Sequence, residues 1–406
     1  MRRRDFLRLA GTAGAATLLP GLEHSWGVEP AGDPALDQGI DPLPDSVFSE
    51  RLARAVELMT EAGLSAVLCE PSTTFAYLAG GNFGRSERLI ALVIPQNGDP
   101  FIVAPGFEVE RVQRTVRAIS DVRGWAEDEN PFSLVADGLA AETAGRIGVE
   151  FSVRYGMARR LQQALPAWET VDGSTVFEQM RIIKSEAELK LIRRAVSIAE
   201  TSIAATFASL ESGLTDREVA AVLSAEMAKH GARGGGLIQF GPTSALPHGG
   251  TEGRQLQRGM LVLVDAGCRV HGYTSDITRM YFFGDEPSTE YREIYNTVFS
   301  AQTAAFDAGQ PGMECQELDR IARHVIRQAG YGEYFTHRLG HGMGMDGHEP
   351  PYIVEGNTRR LEPGMVFTIE PGIYLPGRWG VRIEDDVVVR ESGLEALSTR
   401  VAPIRG

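Results

Sequence analysis

The chain contains little cysteine: three residues among 406, at Cys69, Cys268 and Cys315. An odd number of cysteines at wide spacing excludes the paired framework of a small disulfide-stabilised protein. Cys268 lies close to Asp265 in the sequence, so a thiolate metal ligand is conceivable there. A buried thiol within a strand is the interpretation we favour for Cys268.

Positive charge is also in short supply. Lys and Arg number 40 against 54 Asp and Glu, which gives a formal net charge of −14. This balance argues against nucleic acid or an anionic membrane as a partner, because like charges repel. With 43% hydrophobic and 23% charged residues, the composition is that of an ordinary globular protein with enough chain for about two domains.

A long apolar run is missing as well. The apolar stretch near the N-terminus, from Leu9 to Leu19, is shorter than the ~20 residues that a membrane-spanning helix needs. It follows the pair Arg3 and Arg4 in the order RRDFLR, which predicts a twin-arginine export signal and a periplasmic or secreted protein. A basic start on a cytosolic protein is the alternative, and no convincing cleavage site lies between Gly21 and Pro34.

Beyond the signal, the chain divides into two parts in which helix and strand patterns alternate. We assign residues 1–44 to the signal and a linker, 45–175 to an N-terminal α/β domain, and 176–406 to a C-terminal domain. No period of 20 to 50 residues indicates a repeat array.

Local patterns predict the elements of both parts. An amphipathic helix pattern ends at Gly63, and apolar strand-like runs follow it: SAVLCE, LIALVIP and PFIVAP. In the second part, Ser185 and Glu188 form a capping-box pattern that opens a long helix, and another capped helix begins at Thr215.

Five residues of the second part have side chains that bind metals: Asp265, Asp276, His341, Glu370 and Glu384. Four carboxylates and one imidazole make a hard, oxygen-rich set that suits two divalent cations. Taken singly, each acid is most simply a solvated residue. Asp276 and Glu384, however, lie within apolar, strand-like runs where an unpaired charge is costly. The set therefore favours a shared metal site.

The spacing of the two aspartates predicts a β-hairpin. A turn centred on Val270 and His271 would place Asp265 opposite Asp276. Cross-strand neighbours have Cβ atoms about 4.5 to 5.5 Å apart, close enough for two carboxylates to share metals. A turn shifted by one residue would leave the two aspartates as diagonal neighbours.

The two glutamates repeat this arrangement. The strand-like run MVFTI leads into Glu370, the loop after it reverses the chain, and VRIEDDVVV brings Glu384 back. His341 lies between Gly340 and Gly342, whose missing side chains permit close backbone approach and leave the imidazole room to reach a metal.

Three further histidines lie near these motifs: His248, His337 and His348. An imidazole beside an activated water can donate to a developing oxyanion or carry a proton to a leaving amine. The alternative is that loop histidines flanked by Gly and Pro are surface residues. We favour an active-site role for His248 and His348. For His337 an active-site role and a surface position are equally supported.

Arg382 lies two residues before Glu384 and would share its strand face. It could clamp a substrate carboxylate or pair with one of the ligand acids. The structural alternative is an ion pair with Asp385 or Glu384. Thr278, on the same face as Asp276, is a candidate hydrogen-bond donor behind the ligands, or simply a residue that fits a strand well.

The order of these motifs resembles the creatinase/prolidase/methionine aminopeptidase superfamily. The segments are VDAG, SDITR, HRLGHGMG followed by HEPP, TIEPGIY and VRIED. They span Pro247 to Asp385, and a looser likeness extends back to about Phe48. The two-domain length resembles aminopeptidase P and prolidase, the Xaa-Pro peptidases.

The resemblance implies an α/β protein, α+β in detail, with a creatinase-like N-terminal domain and a C-terminal pita-bread metallopeptidase domain. It implies two divalent metal ions, with manganese expected and cobalt, iron or zinc compatible with the same ligands. The implied metal ligands are Asp265, Asp276, His341, Glu370 and Glu384. The residues expected to act in catalysis are His248, His348 and Glu370, and those expected to contact substrate are His248, His337, His348 and Arg382.

The expected reaction is removal of the N-terminal residue from small Xaa-Pro peptides. A hydroxide bridging the two metals would attack the scissile carbonyl, with Glu370 as proton acceptor. A homodimer is expected as well. Two alternatives stay open: a creatinase-like C–N hydrolase or lyase acting on a small zwitterion, and a catalytically silent binding module, which the complete ligand set disfavours.

Overall fold

The computed structural model of the protein describes residues 39–247, 249, 252–284 and 286–405. The predicted export signal and His248 lie outside the described residues. Among the helices that are described, none is long and apolar enough to cross a membrane.

The N-terminal part is a six-stranded sheet covered by helices. Its strands are β1 Ala66–Cys69, β2 Ala91–Pro95, β3 Phe101–Pro105, β4 Asp121–Trp125, β5 Gly145–Val149 and β6 Trp168–Asp172. Its helices are α1 Asp45–Glu61, α2 Thr73–Ala79, α3 Val109–Thr115, α4 Pro131–Gly138, α5 Tyr155–Ala164 and α6 Ser174–Arg181. The predicted helix before Gly63 and the three predicted strands are confirmed.

This sheet has the order β4-β3-β2-β1-β5-β6, in which β2 is antiparallel to both of its neighbours. Its central strands are buried on both faces, which explains their continuous apolar runs. Along β2, Leu92 and Ile94 face the core formed with α1, α2 and α6, whereas Ala91 and Val93 face the core under α4 and α5.

The described residues of the C-terminal part form three sheets and four α-helices. The helices are α7 Glu186–Ala208, α8 Asp216–Lys229, α9 Thr289–Ala308 and α10 Cys315–Gln328. The strands are β7 Arg233–Phe240, β8 Met260–Val270, β9 Tyr273–Thr274, β10 Ile277–Phe283, β11 Gly340–Gly342, β12 Glu349–Ile353, β13 Val366–Ile369, β14 Gly372–Leu375, β15 Trp379–Arg382, β16 Asp385–Arg390 and β17 Gly393–Ala396. The sheet orders are β10-β8-β7, β12-β11-β13-β16-β17 and β14-β15, with β9 paired to β8.

The helices lie on both faces of these sheets. Along β8, Val262 and Val264 enter the core with α7 and α8, while Leu261 and Leu263 enter the core with α9 and α10. Successive side chains of a strand point to opposite faces, and in β8 both sets are packed against helices. The strand that leads into Asp265 is therefore held rigidly between two helical layers.

The predicted capping box at Ser185 is present, and the capped helix predicted to begin at Thr215 also starts with a capping box. The Ser185 hydroxyl accepts from the Glu188 N–H at 3.3 Å, and the Glu188 carboxylate accepts from the Ser185 N–H at 2.8 Å. Thr215 and Glu218 form the same reciprocal pair at the start of α8. Each box satisfies backbone donors that the first helical turn leaves unpaired.

The two parts meet at α6, which spans the predicted domain boundary near residue 176. Val176 and Phe177 pack into the N-terminal core, whereas Ile182 packs into the C-terminal one. Across the junction, the buried Arg51 guanidinium donates to Glu188 at 2.9 Å and to the Tyr273 hydroxyl at 2.6 Å.

All three cysteines are free and buried. The Cys268 thiol donates to the Ala195 carbonyl at 3.2 Å, and burial raises its pKa to about 11. A thiol with so high a pKa stays protonated at neutral pH. The interpretation of Cys268 as a buried thiol is confirmed.

Candidate metal centre

The first hairpin turns one residue later than the sequence pattern predicted. His271 and Gly272 occupy the turn with φ of 46° and 92°, a pair of positive values typical of a type I′ hairpin. The prediction that Asp265 faces Asp276 was therefore wrong: Asp265 pairs with Thr278. Continuing that register makes Asp276 a diagonal neighbour of Asp265, the arrangement expected for a turn shifted by one residue.

The second hairpin brings the two glutamates level with each other. β13 pairs with β16 in a register that matches Ile369 with Asp385. β14 and β15 continue in the same register after a short break. Glu370 and Glu384 lie in that break, directly across from each other. The predicted second hairpin is confirmed. Both carboxylates lie at the same interruption of the strand pairing.

His341 is placed by the close packing of β11. A Cβ atom on Gly340 would lie 1.8 Å from the Thr368 carbonyl oxygen, and one on Gly342 would lie 2.3 Å from the Pro350 carbonyl oxygen. Neither position has room for a side chain. The strand approaches both of its neighbours through these glycines, and the His341 side chain is only 3% exposed.

Hydrogen bonding assigns the tautomer of His341. Its Nδ1 lies 3.1 Å from the Gly342 carbonyl oxygen, which can only accept, so Nδ1 holds the proton. Burial, with His348 adding to it, lowers the pKa of His341 to about 3, and the ring is therefore neutral. The Nε2 lone pair consequently faces Glu370 Oε1 at 3.4 Å and Asp276 Oδ2 at 3.7 Å. One nitrogen and two oxygen acceptors therefore face one another, an arrangement typical of the ligands around a bound cation.

The carboxylates of the cluster oppose one another's ionisation. Burial first, and then the neighbouring acids, raise the pKa values of Asp276 and Glu384 well above their usual range. Burial raises the pKa of Glu370 to about 7. Closely spaced acids in a protected site cannot all be charged unless a cation compensates them.

The ligand atoms form two groups that share Glu384. Within each group the atoms lie within 4.8 Å of one another. One group is Asp265, Asp276 and Glu384, and the other is His341, Glu370 and Glu384. Two overlapping groups of oxygen atoms with one imidazole nitrogen suit two divalent cations bridged by a carboxylate. The residues present therefore fit the predicted pair of metal ions.

Arg382 is buried against this cluster, with 3% of its surface exposed. Its Nη2 donates to Asp265 Oδ2 at 2.6 Å, its Nε to the Thr278 hydroxyl at 3.0 Å, and its Nη1 to the Tyr374 hydroxyl at 2.8 Å. Of the partners considered for Arg382 from the sequence, the one observed is Asp265, a predicted metal ligand. The guanidinium still borders the cavity beside the acids.

Arg279, and not Arg382, forms the ion pair with Asp385 that the sequence left open for Arg382. Arg279 Nη2 donates to Asp385 at 2.8 Å, while its Nη1 donates to the Glu384 backbone carbonyl at 2.6 Å. The Thr278 hydroxyl donates to the Glu384 carboxylate at 2.5 Å. Glu384 is thus held at both its backbone and its side chain, and Thr278 donates a hydrogen bond to this predicted ligand.

His348 lies over His341 on the cavity side. The ring centroids are 3.8 Å apart, and Asp276, His341 and His348 form a further group whose ligand atoms lie within 4.8 Å of one another. His348 Nδ1 accepts from Arg338 Nη2 at 3.1 Å. In the neutral ring the proton is therefore on Nε2.

The loop that contains His348 is tied to the domain junction. Glu349 accepts from Lys184 Nζ at 2.8 Å and also pairs with Arg181. Arg181 pairs in addition with Asp346 at 2.7 Å. These contacts hold the loop on either side of His348.

His337 forms part of a hydrogen-bonded chain. Its Nδ1 donates to the Arg338 carbonyl at 2.7 Å, so its Nε2 accepts from the Tyr374 hydroxyl at 2.8 Å. That hydroxyl accepts in turn from Arg382. The structure thus places His337 beside the site and links it to the acid cluster through Tyr374.

These residues surround one cavity of about 400 Å³. Its lining residues are Pro247, Asp265, Asp276, His337, Arg338, His341, His348, Glu370, Arg382 and Glu384. All five predicted ligands are among them, and Pro247 precedes His248, which lies outside the described residues. Arg338 was not identified from the sequence, although its position between His337 and the GHG segment could have indicated it.

Two family models match the chain. Residues 190–391 match metallopeptidase family M24, and residues 51–183 match the creatinase/prolidase N-terminal domain. The chain is 37% identical over 355 residues to the putative dipeptidase YkvY of Bacillus subtilis, covering 86% of this chain and 97% of that protein.

Solved structures show the same likeness. The dipeptidase PepE from Mycobacterium ulcerans superimposes with a TM-score of 0.83 and 37% identity, covering 89% of this chain and 98% of that one. A recombinant prolidase from Thermococcus sibiricus gives a TM-score of 0.80 and 31% identity, covering 86% and 96%. The predicted resemblance and the predicted fold, a creatinase-like N-terminal domain followed by a pita-bread domain, are confirmed.

Proposed function

Because the chain belongs to metallopeptidase family M24, we propose that it uses two divalent metal ions to cleave Xaa-Pro peptides. The observation that supports this most directly is the pair of ligand groups sharing Glu384. Proteins similar to this chain are named dipeptidase and prolidase. The cavity of about 400 Å³ lies near the lower end of the range for small-molecule sites, which suits a short peptide.

We propose Asp265, Asp276, His341, Glu370 and Glu384 as the ligands of these ions. Carboxylate and imidazole donors are compatible with manganese, our first expectation, and with cobalt, iron or zinc. When bound, such ions act as Lewis acids on the scissile carbonyl and lower the pKa of water. Metal analysis of the purified protein distinguishes the four elements.

Glu370 is the proposed proton acceptor. The assignment rests on the resemblance of the segment TIEPGIY and on the place of the carboxylate in the cluster, where Oε1 lies 3.4 Å from His341 Nε2. The Thr368 hydroxyl donates to Glu370 Oε1 at 3.2 Å and orients the group. Glu370 would take a proton from the attacking water and pass it to the leaving amine.

His348 is the proposed donor to the oxyanion. His348 lines the cavity, and with Nδ1 accepting from Arg338 the neutral ring holds its proton on Nε2. A donor aimed at the developing charge stabilises the transition state. The same role for His248 rests on the resemblance of its motif.

The test is a panel of peptides with the metal-loaded enzyme. Xaa-Pro peptides should release a free N-terminal residue, whereas Xaa-Ala controls should react poorly. The physical basis is a pocket shaped for the pyrrolidine ring and for an amide nitrogen without a hydrogen. Equal cleavage of both series would remove the proline preference. Turnover of a small zwitterion or guanidino compound, with no peptide cleaved, would replace the peptidase by the creatinase-like alternative.

Export by the twin-arginine pathway is a separate proposal. It is supported by Arg3 and Arg4 and by the apolar stretch from Leu9 to Leu19. Changing both arginines to lysine should retain the protein in the cytoplasm, because the export receptor reads the arginine pair. Fractionation of cells would reject the proposal if the variant still reached the periplasm or medium. The expected homodimer also stays a prediction, which light scattering tests.

A further inference from the structure

Two of the predicted ligands, Asp276 and Glu384, belong to different sheets. Asp276 directly precedes β10, an edge strand of the first sheet, and Glu384 directly precedes β16 of the second. The two sheets meet where these strands begin, a junction that we call the seam. Here the Glu384 N–H donates to the Thr278 carbonyl at 3.3 Å, which places Thr278 opposite Glu384. Two residues further along, the same register places Asp276 opposite Asp386.

At Asp276 a side chain replaces the backbone as the connection across the seam. The Asp276 N–H donates to Asp386 Oδ2 at 3.0 Å. The backbone carbonyl of Asp386 already accepts from the Leu397 N–H at 2.8 Å, so the carboxylate is the group that reaches Asp276. Without it, the Asp276 N–H would lose its acceptor at a point where the chain lies between β9 and β10 and outside both strands.

The Asp386 carboxylate has this hydrogen bond and little else. The side chain is fully buried, and Oδ1 has no hydrogen-bond partner in the described part of the chain. The adjacent Asp385, which points to the opposite face of β16, instead pairs with Arg279 and accepts from the Ser398 hydroxyl, both at 2.8 Å. Burying an acid oxygen without a partner is costly, and such departures from good packing are found chiefly at functional sites.

The contact acts on one of the two ligand groups. Asp276 shares a group with Asp265 and Glu384, whereas the group of His341, Glu370 and Glu384 does not include it. Arg382 holds Asp265 and Thr278 holds Glu384 by hydrogen bonds to their side chains. Asp386 supplies the matching support for the third member, through its backbone.

We propose that Asp386 is a positioning residue of the metal centre, an inference that rests on the proposed metal-dependent function. It holds Asp276 against the seam and thereby keeps the group of Asp265, Asp276 and Glu384 together around one of the two ions. Asp386 does not line the cavity, so it acts through Asp276 and not on the substrate.

The test is titration calorimetry of the metal-free protein with Mn²⁺. Wild type should bind two ions per chain. Asp386→Leu, which is similar in size but accepts no hydrogen bond, should weaken one of the two sites about 10- to 100-fold, the range for residues behind metal ligands, and leave the other near wild type. Asp386→Asn keeps an accepting oxygen without the charge and should retain most of the affinity. Asp386→Ala repeats the test if the leucine variant does not fold.

Ser202→Ala is the matched control. It removes another fully buried oxygen that has no hydrogen-bond partner among the described residues, from α7, and should leave both sites unchanged. Hydrogen–deuterium exchange adds a measurement that needs neither metal nor substrate. Peptides that contain residue 276 should exchange faster in Asp386→Leu than in wild type or Ser202→Ala, because the Asp276 N–H has lost its acceptor.

The outcomes separate this inference from the proposed function. Unchanged Mn²⁺ affinity at both sites of Asp386→Leu would overturn the inference. An equal loss in Asp386→Asn would overturn it too, because it would show that the charge of Asp386 matters and not its hydrogen bond. A wild-type protein that binds no Mn²⁺ would instead refute the metal-dependent function. Two bound ions with the expected loss in Asp386→Leu, but without cleavage of any peptide, would support the inference and refute the peptidase function alone.

Discussion

Arg382 Nη2 donates to Asp265 Oδ2 at 2.6 Å, across 117 residues of sequence. The pair joins β8, the first strand of one hairpin, to β15, the returning strand of the other. Arg382 also lowers the pKa values of Asp276, Glu370 and Glu384, against the stronger effect of burial. The cluster therefore contains one built-in positive charge that offsets part of the acid repulsion before any metal binds.

Replacing that charge should weaken metal binding. In Arg382→Met, Asp265 loses its orienting donor, and residues in such outer positions typically contribute about 10- to 100-fold to metal affinity. Titration calorimetry with Mn²⁺ measures the change in affinity. The affinity of Arg382→Lys should lie between those of the wild type and Arg382→Met. Arg114→Met serves as the control for loss of a surface charge. An affinity equal to wild type would show that Arg382 does not orient Asp265.

Removing a ligand charge should have a larger effect. Asp276→Asn or Glu384→Gln should abolish metal content and activity together, because each withdraws an acid from the shared groups. Elemental analysis after dialysis and a peptide assay provide the two measurements. Glu50→Gln on the exposed face of α1 should change neither. Full activity with two metals still bound would contradict the ligand assignment.

The outcome for His348 should be different. His348→Ala should leave metal content near wild type and lower kcat by about 10²- to 10³-fold, the range for loss of an oxyanion donor. The same expectation applies to His248→Ala. Loss of metal in the His348 variant would instead make that residue a ligand, in the group that it forms with Asp276 and His341.

The stability of the metal-free protein should fall as pH rises. Burial raises the pKa of Glu370 to about 7 and those of Asp276 and Glu384 well above their usual range. From the ordinary carboxyl values of about 4 up to these raised values, the folded protein binds more protons than the unfolded chain. The free energy of unfolding therefore decreases with pH through this window.

Urea unfolding in the presence of a chelator, between pH 5 and pH 8, measures this dependence. Added metal should reverse it, since a bound cation takes the place of the protons. Glu384→Gln should flatten the slope because it removes one of the raised groups. A variant with the same slope as wild type would show that the cluster does not cause the pH dependence.

Local sequence was sufficient to predict the helices with capping boxes and the central strands of the N-terminal sheet. These features depend on neighbouring residues: Ser185 with Glu188, or an unbroken apolar run in β2. The five candidate metal ligands could also be identified from local sequence. Two of the acids lie within apolar runs and the histidine lies between two glycines, and both patterns are visible without knowledge of the fold. The structure brings all five to one cavity.

Register was only partly predictable from the chain. The first hairpin turns at His271 and Gly272, because the type I′ turn requires positive φ at both central residues and Gly272 supplies one of them without strain. A shift of one residue in the turn moved Asp265 from Asp276 to Thr278 as its partner. Both aspartates nevertheless remain in one group, because diagonal neighbours are still within reach.

Tertiary structure alone decided the partners of the charged groups. Sequence spacing offered Arg382 several acids, and the packing of two distant hairpins selected Asp265. It also left Arg338 without an acid among the described residues, beside His348 in the cavity. Raised carboxyl pKa values likewise arise only when separate strands bury their acids together. The sequence determined which side chains are able to bind metal and substrate. The fold determined which charged side chains pair with each other, because charge interactions depend on distance in space and not on separation along the chain.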